Sequence, residues 1–267
     1  MISNDKQAIL VASFGTSYAE TRRKTIDALE HTIIEAFPDY TVRRAFTSNH
    51  IIQKLRVRDN LTIHTVNEAL HALLDDGFVS VTIQPTHVIN GEEYEKIVNN
   101  AAPFRERFQS LRIGTPLLTD TQDYLQLITA IINEFPTLRD DQALILMGHG
   151  TEHYTNASYA ALDYMFKEQG YSNVFVGTVE AYPTIDTVLR QVKSLGVTEV
   201  ILAPLMLVAG DHIINDMAGT EDDSWRTLCE QAGLQVTCIL KGLAENPHIR
   251  DIYLSHLHHV LNQDDQE

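Results

Sequence analysis

The stretch ALILMGHGT, residues 143–151, decides the fold. An unbroken apolar run stops at two glycines, with His149 set between them. Such a run, bounded by turn residues, reads as a strand buried on both faces. NVFVGTVE (173–180) repeats the pattern and runs into Glu180, and EVILAPLMLVAGDH (199–212) ends in a glycine turn and His212. Upstream, AILVASF (8–14), TVRRAF (41–46), VSVTIQP (79–85) and the weaker LRIGTPL (111–117) have the same character, and LQVTCIL (234–240) completes the set. Between them, apolar residues recur at three- and four-residue spacing, as in AETRRKTIDALEHTIIEAF (19–37), TVNEALHALLDDG (65–77), SYAALDYMFKEQG (158–170) and IDTVLRQVKSLG (185–196). Gly77, Gly170 and Gly196 sit where helix C-caps belong. This alternation predicts an α/β fold in which helices cover both faces of a parallel sheet.

Four strands followed by four more predict two similar Rossmann-like domains. QDYLQLITAIINEFPTLRDDQ (122–142) reads as a helix and a polar connector, so the boundary is expected near residue 140, giving domains 1–140 and 141–267. Two echoes suggest a duplication. SFGTS (13–17) resembles GHGTE (148–152), with Phe14 opposite His149, and VINGEE (88–93) resembles LVAGDH (207–212), with Glu93 opposite His212. In such sheets ligands bind at the carboxyl ends of the strands. A cleft between the halves would then carry His149, Glu180 and His212 on one wall and Glu93 on the other. A final helix is expected within ENPHIRDIYLSHLHHVLNQ (245–263), with Pro247 near its first turn, and residues 247–263 can pack back on the first half.

Composition narrows the function. The 267 residues carry a formal net charge of −16, which argues against non-specific nucleic-acid or anionic-membrane binding. Cys229 and Cys238 are the only cysteines, so a disulfide framework is not implied, and both read as reduced core thiols. AILVASF (8–14) lacks the basic flank and cleavage site of a signal peptide, and no apolar run reaches the length of a membrane span. A cytoplasmic protein is expected. There is no P-loop and no GxGxxG, and SFGTS is not a GxSxG nucleophile elbow, so no organic cofactor is indicated.

Two histidines and a carboxylate at three successive strand ends suit a borderline divalent ion such as Co²⁺, Ni²⁺, Fe²⁺ or Zn²⁺. Three protein ligands leave positions open for reaction, and neutral imidazole also accepts protons. One such histidine alone would more often be a satisfied strand-end residue; the convergence of three metal-competent residues favours the site. His87 ends the third strand and either faces the cleft or serves as a hydrogen-bonding structural residue. Glu92 and Glu93 follow Gly91, so one of the two is expected to point into the cleft. His256, His258 and His259 read as a solvated face of the last helix. VRRAFTSNHIIQKLRVR (42–58) holds Arg43, Arg44, Lys54, Arg56 and Arg58 with no acidic residue. It is either a solvated face or an anion site, since guanidinium forks hold carboxylates bidentately.

The chain resembles the anaerobic cobalt chelatases of the CbiK type, in the class II chelatase superfamily. The resemblance rests on LVASFGTSY (10–18), RAFTSNHIIQKLRVRD (44–59), HVINGEEYEKI (87–97), MGHGTEH (147–153), VGTVEAYP (176–183) and PLMLVAGDHIINDMAGTEDDSW (204–225). It implies two α/β domains with a tetrapyrrole held between them, and insertion of Co²⁺ into sirohydrochlorin without a nucleotide. It also implies that His149, His212 and Glu180 bind the metal, with Glu93 as the acidic residue opposite. His149, His212 and Glu93 are then the expected proton-handling groups. Sirohydrochlorin is a polycarboxylate and the protein is acidic, so local cations are needed. Arg56 and Arg58, then Arg44, are the expected carboxylate partners, with Phe14 and His87 as further substrate contacts. Fe²⁺ or Ni²⁺ insertion is the nearest rival, and a metal- or tetrapyrrole-binding carrier is the rival outside enzymology. A homo-oligomer is expected, such assemblies being common in enzymes of this kind.

Overall fold

The computed structural model describes residues 6–135 and 138–262. Its strands are β1 (Lys6–Ser13), β2 (Thr41–Phe46), β3 (Phe78–Pro85), β4 (Ser110–Ile113), β5 (Gln142–Gly148), β6 (Val174–Thr178), β7 (Glu199–Pro204) and β8 (Gln235–Cys238). They form two four-stranded sheets, in the orders β2-β1-β3-β4 and β6-β5-β7-β8, and every pairing is parallel. Each sheet has the topology of half a doubly wound fold. The connections leave β1 and β5 in both directions, so the switch points lie between β1 and β3 and between β5 and β7. All seven residues of β5 are buried, as a strand covered on both faces requires.

The helices are α1 (Ala19–Lys24), α2 (Ile26–Ala36), α3 (Asn49–Asp59), α4 (Val66–Asp75), α5 (Glu92–Ala101), α6 (Thr121–Glu134), α7 (Ala157–Glu168), α8 (Ile185–Ser194), α9 (Trp225–Gln231) and α10 (Pro247–Leu261). Gly77, Gly170 and Gly196 follow α4, α7 and α8 with positive φ, as C-caps. In the first sheet Ala8, Leu10, Ala12 and Ile83 pack with Leu70 and Leu73 of α4. In the second, Ile145, Met147 and Leu202 pack with Val188 and Val192 of α8 and with Trp225 and Cys229 of α9. The periodic stretch 19–37 is two helices rather than one. At Thr25 the hydroxyl donates to the Thr21 carbonyl at 2.6 Å, and φ −117°, ψ −78° departs from helical values. Such back-bonding by threonine bends helices.

The chain divides into two compact units, residues 1–119 with 247–267, and residues 120–246. The division therefore falls about twenty residues before the expected boundary at 140. The reason is α6, which opens the second unit with an Asp120–Asp123 capping box and buries Leu127, Ile128 and Ile131. Within that unit Lys241 Nζ donates to Glu134 Oε1 at 2.6 Å and Asn246 Nδ2 to the Ala130 carbonyl at 3.2 Å. The polar stretch after α6 falls within the span of the second unit. The last helix, α10, belongs to the first unit: Arg250 Nε reaches Thr32 Oγ1 at 3.1 Å and the Tyr253 hydroxyl donates to the Thr86 carbonyl at 2.8 Å. On the same helix the His258 ring lies 4.7 Å from that of Phe37, and His256 Nδ1 lies 3.3 Å from the Thr115 carbonyl oxygen, so these two histidines are not simply a solvated face. Among the described residues, no helix is long and apolar enough to cross a membrane.

The two units repeat one another in their main-chain bonding. Thr47 N donates to Ser13 O and Ser48 N to Phe14 O, as Val179 N does to Gly148 O and Glu180 N to His149 O. Thr86 N donates to Ala12 O as Leu205 N does to Met147 O, and Leu117 and Leu118 bond to His87 and Val88 as Leu243 and Ala244 bond to Met206 and Leu207. These bonds set Phe14 equivalent to His149 and Ser48 equivalent to Glu180. Counting seven residues from Thr86 and from Leu205 sets Glu93 equivalent to His212.

Candidate metal centre

Three loops at the carboxyl edge of the second sheet bring together His149, Glu180 and His212. His149 follows β5 directly, and Gly150 turns the chain after it with φ +87°. A Cβ on Gly150 would come within 2.9 Å of Ala181 N and Thr178 Cβ, so this turn needs glycine both for its dihedral and for its space. The tight turn lets Glu180 N donate to the His149 carbonyl at 2.9 Å, which ties the loop after β6 to the loop after β5. His212 comes from the loop after β7, so the two histidines flank the β5/β7 switch point. Their rings meet edge to face with centroids 4.8 Å apart. Glu180 lies between them, Oε2 being 3.6 Å from His149 Nδ1 and Oε1 3.8 Å from His212 Nε2. One ligand atom from each residue lies within 4.8 Å of the others. Among the described residues no other three histidines, cysteines or carboxylates converge in this way.

Both imidazoles are hydrogen-bonded through Nδ1. His149 Nδ1 lies 2.8 Å from the Gly150 carbonyl oxygen, and His212 Nδ1 lies 2.6 Å from Asp216 Oδ2. A carbonyl oxygen and a carboxylate oxygen accept, so Nδ1 is the donor in both rings, and in the neutral imidazole Nε2 keeps a free lone pair. Two imidazole nitrogens and one carboxylate oxygen, without thiolate, form a donor set suited to a borderline divalent ion.

In the first unit Glu93 stands in the first turn of α5. Its carboxylate accepts hydrogen bonds from the Thr47 hydroxyl and the Lys96 ammonium. Burial pushes this carboxyl up, but the hydrogen bonds from Lys96 and Thr47, with the Lys96 charge, outweigh it and hold Glu93 below the usual carboxylate range. His87 Nε2 lies 3.4 Å from Thr47 Oγ1, behind the carboxylate. Burial drives the His87 imidazole down to about 4 despite the pull of the Glu93 charge, so its ring is neutral at neutral pH. Thr47, Lys96 and Asp216 were not expected from the sequence. Asp216 carried one signal, its position four residues after His212, which is one-turn spacing.

The arginines divide. Arg44 does not offer a free fork: Nε donates to Glu30 Oε1 at 2.7 Å, and Nη2 bonds Glu30 and Asp27. Its guanidinium is engaged in an internal ion pair holding β2 to α2. Arg58 Nε donates to Asp59 at 2.7 Å, and its Nη2 bonds Asp59 and the Ser17 carbonyl. Arg56 is exposed on α3 and makes no side-chain hydrogen bond or ion pair among the described residues. Phe14, the counterpart of His149, is 44% exposed, unusually open for phenylalanine. Cys229 and Cys238 are free, and burial pushes the Cys229 thiol up to about 12, which makes it inert.

The family model for cobalt chelatase (CbiK) matches residues 7–262. The chain belongs to the CbiK family. Relatives within reach of that family include the sirohydrochlorin cobaltochelatase of Salmonella typhimurium, 47% identical over 257 residues, covering 96% of this chain and 97% of the relative. The sirohydrochlorin cobaltochelatase CbiKC of Nitratidesulfovibrio vulgaris is 33% identical over 255 residues, covering 94% and 89%. The CbiK fold seen here is also that of the sirohydrochlorin chelatase SirB from Bacillus subtilis subspecies spizizenii, solved in complex with cobalt. That match has a TM-score of 0.65 at 14% identity and covers 98% of both chains.

Proposed function

We infer that this chain is a sirohydrochlorin cobaltochelatase, a lyase-class enzyme that inserts Co²⁺ into sirohydrochlorin to give cobalt-sirohydrochlorin in cobalamin biosynthesis. The observation that carries this reading is the 47% identity to a named sirohydrochlorin cobaltochelatase along 96% of the chain. The convergence of His149, Glu180 and His212 gives it a chemical basis. The metal is a substrate here, and no organic cofactor is needed. In the proposed reaction the three side chains hold Co²⁺ through two Nε2 atoms and a carboxylate oxygen, and its remaining positions face the macrocycle. Two pyrrole N–H bonds break and their protons leave as the four ring nitrogens bond Co²⁺. His149 or His212 accepts a proton as the ion departs, since its Nε2 lone pair is then released, and water takes it onward. Glu93 is proposed as a further proton-handling group, its bonds to Thr47 and Lys96 favouring the ionised form. Phe14 is proposed to pack against the macrocycle, and His87 to act through Thr47 on Glu93. The cytoplasm is the proposed compartment and a homo-oligomer the proposed assembly.

The test mixes purified protein, sirohydrochlorin and each of Co²⁺, Fe²⁺ and Ni²⁺, and follows the macrocycle absorbance against the uncatalysed rate. Acceleration greatest with Co²⁺ is expected. Greater acceleration with Fe²⁺ or Ni²⁺ would reassign the metal, and binding without acceleration would make the protein a carrier.

A protein with net charge −16 repels a polycarboxylate at long range, so binding must rest on local cations. Arg56, exposed and without a side-chain hydrogen bond or ion pair among the described residues although its charge acts on Glu68, is proposed as one of them. Arg56→Ala is expected to raise the KM for sirohydrochlorin roughly 3- to 10-fold while leaving the KM for Co²⁺ within about twofold, a partly exposed charge-assisted contact being worth about 1 kcal/mol. Arg58→Ala should have the smaller effect, because Asp59 and Ser17 already hold that guanidinium. Steady-state kinetics with each substrate varied in turn check both.

A further inference from the structure

We propose that Asp216 is a positioning residue that makes His212 a metal ligand. It fixes the imidazole in the tautomer whose Nε2 lone pair faces Glu180. This inference rests on the reading of His149, Glu180 and His212 as the site that loads Co²⁺.

The geometry is one-sided. His212 Nδ1 is 2.6 Å from Asp216 Oδ2, a short charge-assisted hydrogen bond, while Nε2 is the nitrogen directed at Glu180, 3.8 Å from Oε1. A neutral histidine free of partners prefers the opposite tautomer, with its hydrogen on Nε2, where it would block metal binding. An ionised carboxylate at Nδ1 reverses that preference and also sets the ring plane. Second-sphere carboxylates of this type commonly govern 10- to 100-fold in metal affinity, as an order of magnitude.

The local sequence HIINDMAG builds the contact. Residues Ile213–Met217 form a π-helical turn, closed by Ala218 N donating to the Ile213 carbonyl at 3.1 Å. In so wide a turn, residues four apart stand almost in line, which brings Asp216 under His212. Gly219 is required to close it, because a Cβ there would come within 2.1 Å of the Asn215 carbonyl oxygen. Ile213 and Met217, fully buried, anchor the turn to the core of the second unit. The two histidines thus differ in what holds them. His149 is fixed by the main-chain carbonyl of Gly150, which no side-chain substitution removes, whereas the orientation of His212 depends on one replaceable side chain.

The experiment compares wild-type protein, Asp216→Ala and His212→Ala. Long-range ¹H–¹⁵N correlation spectra of the metal-free proteins report the tautomer of each neutral histidine. Titration with Co²⁺ alone, followed by its ligand-field absorption, reports affinity. His212 is expected as the Nδ1–H tautomer in the wild type and predominantly as Nε2–H in Asp216→Ala. Co²⁺ affinity should fall about 10- to 100-fold in Asp216→Ala, approaching that of His212→Ala. A role confined to stability would lower the melting temperature without changing the tautomer of the folded protein. The proposal is overturned if wild-type His212 carries its hydrogen on Nε2, or if Asp216→Ala binds Co²⁺ within twofold of the wild type while His212→Ala does not. If His212→Ala itself binds as the wild type does, the metal-site reading fails, and with it this inference.

Discussion

Replacing His149 and His212 together by alanine is expected to lower the catalysed rate of Co²⁺ insertion by about 10³-fold or more, leaving little above the uncatalysed reaction. The double change removes both imidazole donors and both candidate proton acceptors. What remains is Glu180, an exposed carboxylate that by itself would hold a divalent ion weakly. Each single substitution leaves one imidazole and one carboxylate, so each should cost about 10²-fold. The two losses should not simply multiply, because the residues act on the same ion as a unit. Neither histidine lies in the hydrophobic core of the second unit, so the double variant should keep its fold and its far-UV dichroism. Initial rates at saturating sirohydrochlorin, with Co²⁺ varied, are the measurement. A double variant within tenfold of the wild type would remove these residues from the mechanism.

That site was legible in the sequence because of where parallel strands put their ends. A strand covered on both faces shows as an unbroken apolar run, so β5 and β6 revealed their course, with His149 directly after β5 and Glu180 two residues past β6. His212, eight residues past β7, was tied in by the glycine turn and the echo with VINGEE, and the matched main-chain bonds of the two units give that echo a structural basis. The counterparts of the triad in the first unit are Phe14, Ser48 and Glu93, of which only Glu93 can ionise. One topology thus carries two imidazoles and a carboxylate in the second unit, and an open aromatic ring and a single carboxylate in the first.

What escaped the sequence depends on contacts distant along the chain or on backbone detail. Residues 122–134 are amphipathic, and amphipathicity shows that a helix buries one face without showing against what. Only the links from α6 to residues 241–246 assign it to the second unit. The break at Thr25 comes from one hydroxyl bonding to Thr21, within a run whose apolar spacing continues unbroken. Asp216 and Thr47 look like ordinary polar residues until a π-helical turn and a strand end set them against His212 and Glu93. The ion pair of Arg44 escapes the sequence for a related reason. A cluster of positive charge displays its sign along the chain, but Glu30 and Asp27 lie 14 and 17 residues earlier and meet Arg44 only when α2 packs on β2.

Arg44 therefore yields the second large expectation, in stability rather than catalysis. Its side chain is 22% exposed and that of Glu30 only 14%. Removing one partner from so buried a pair leaves an uncompensated charge, and Arg44→Ala is expected to destabilise the protein by about 3 kcal/mol, roughly 6–12 °C in melting temperature. The pH dependence gives this a signature. Burial raises the Glu30 carboxyl above its ordinary value of 4.5 even with Arg44 bonded to it. Without Arg44 it must rise further. A carboxyl raised by folding opposes the folded state as it ionises, so the variant loses stability as pH climbs from the unfolded value to the new folded one. The wild type loses less over the same range. The gap between the two proteins should be full at pH 7 and narrow toward pH 4, where a protonated Glu30 no longer needs the guanidinium and only Asp27 still does. Below the melting temperature of the variant, its KM for sirohydrochlorin should match that of the wild type. Thermal unfolding at several pH values, with kinetics on the folded variant, decides the matter. An unmoved melting temperature with a raised KM would return Arg44 to the substrate site and remove it from the structural pair.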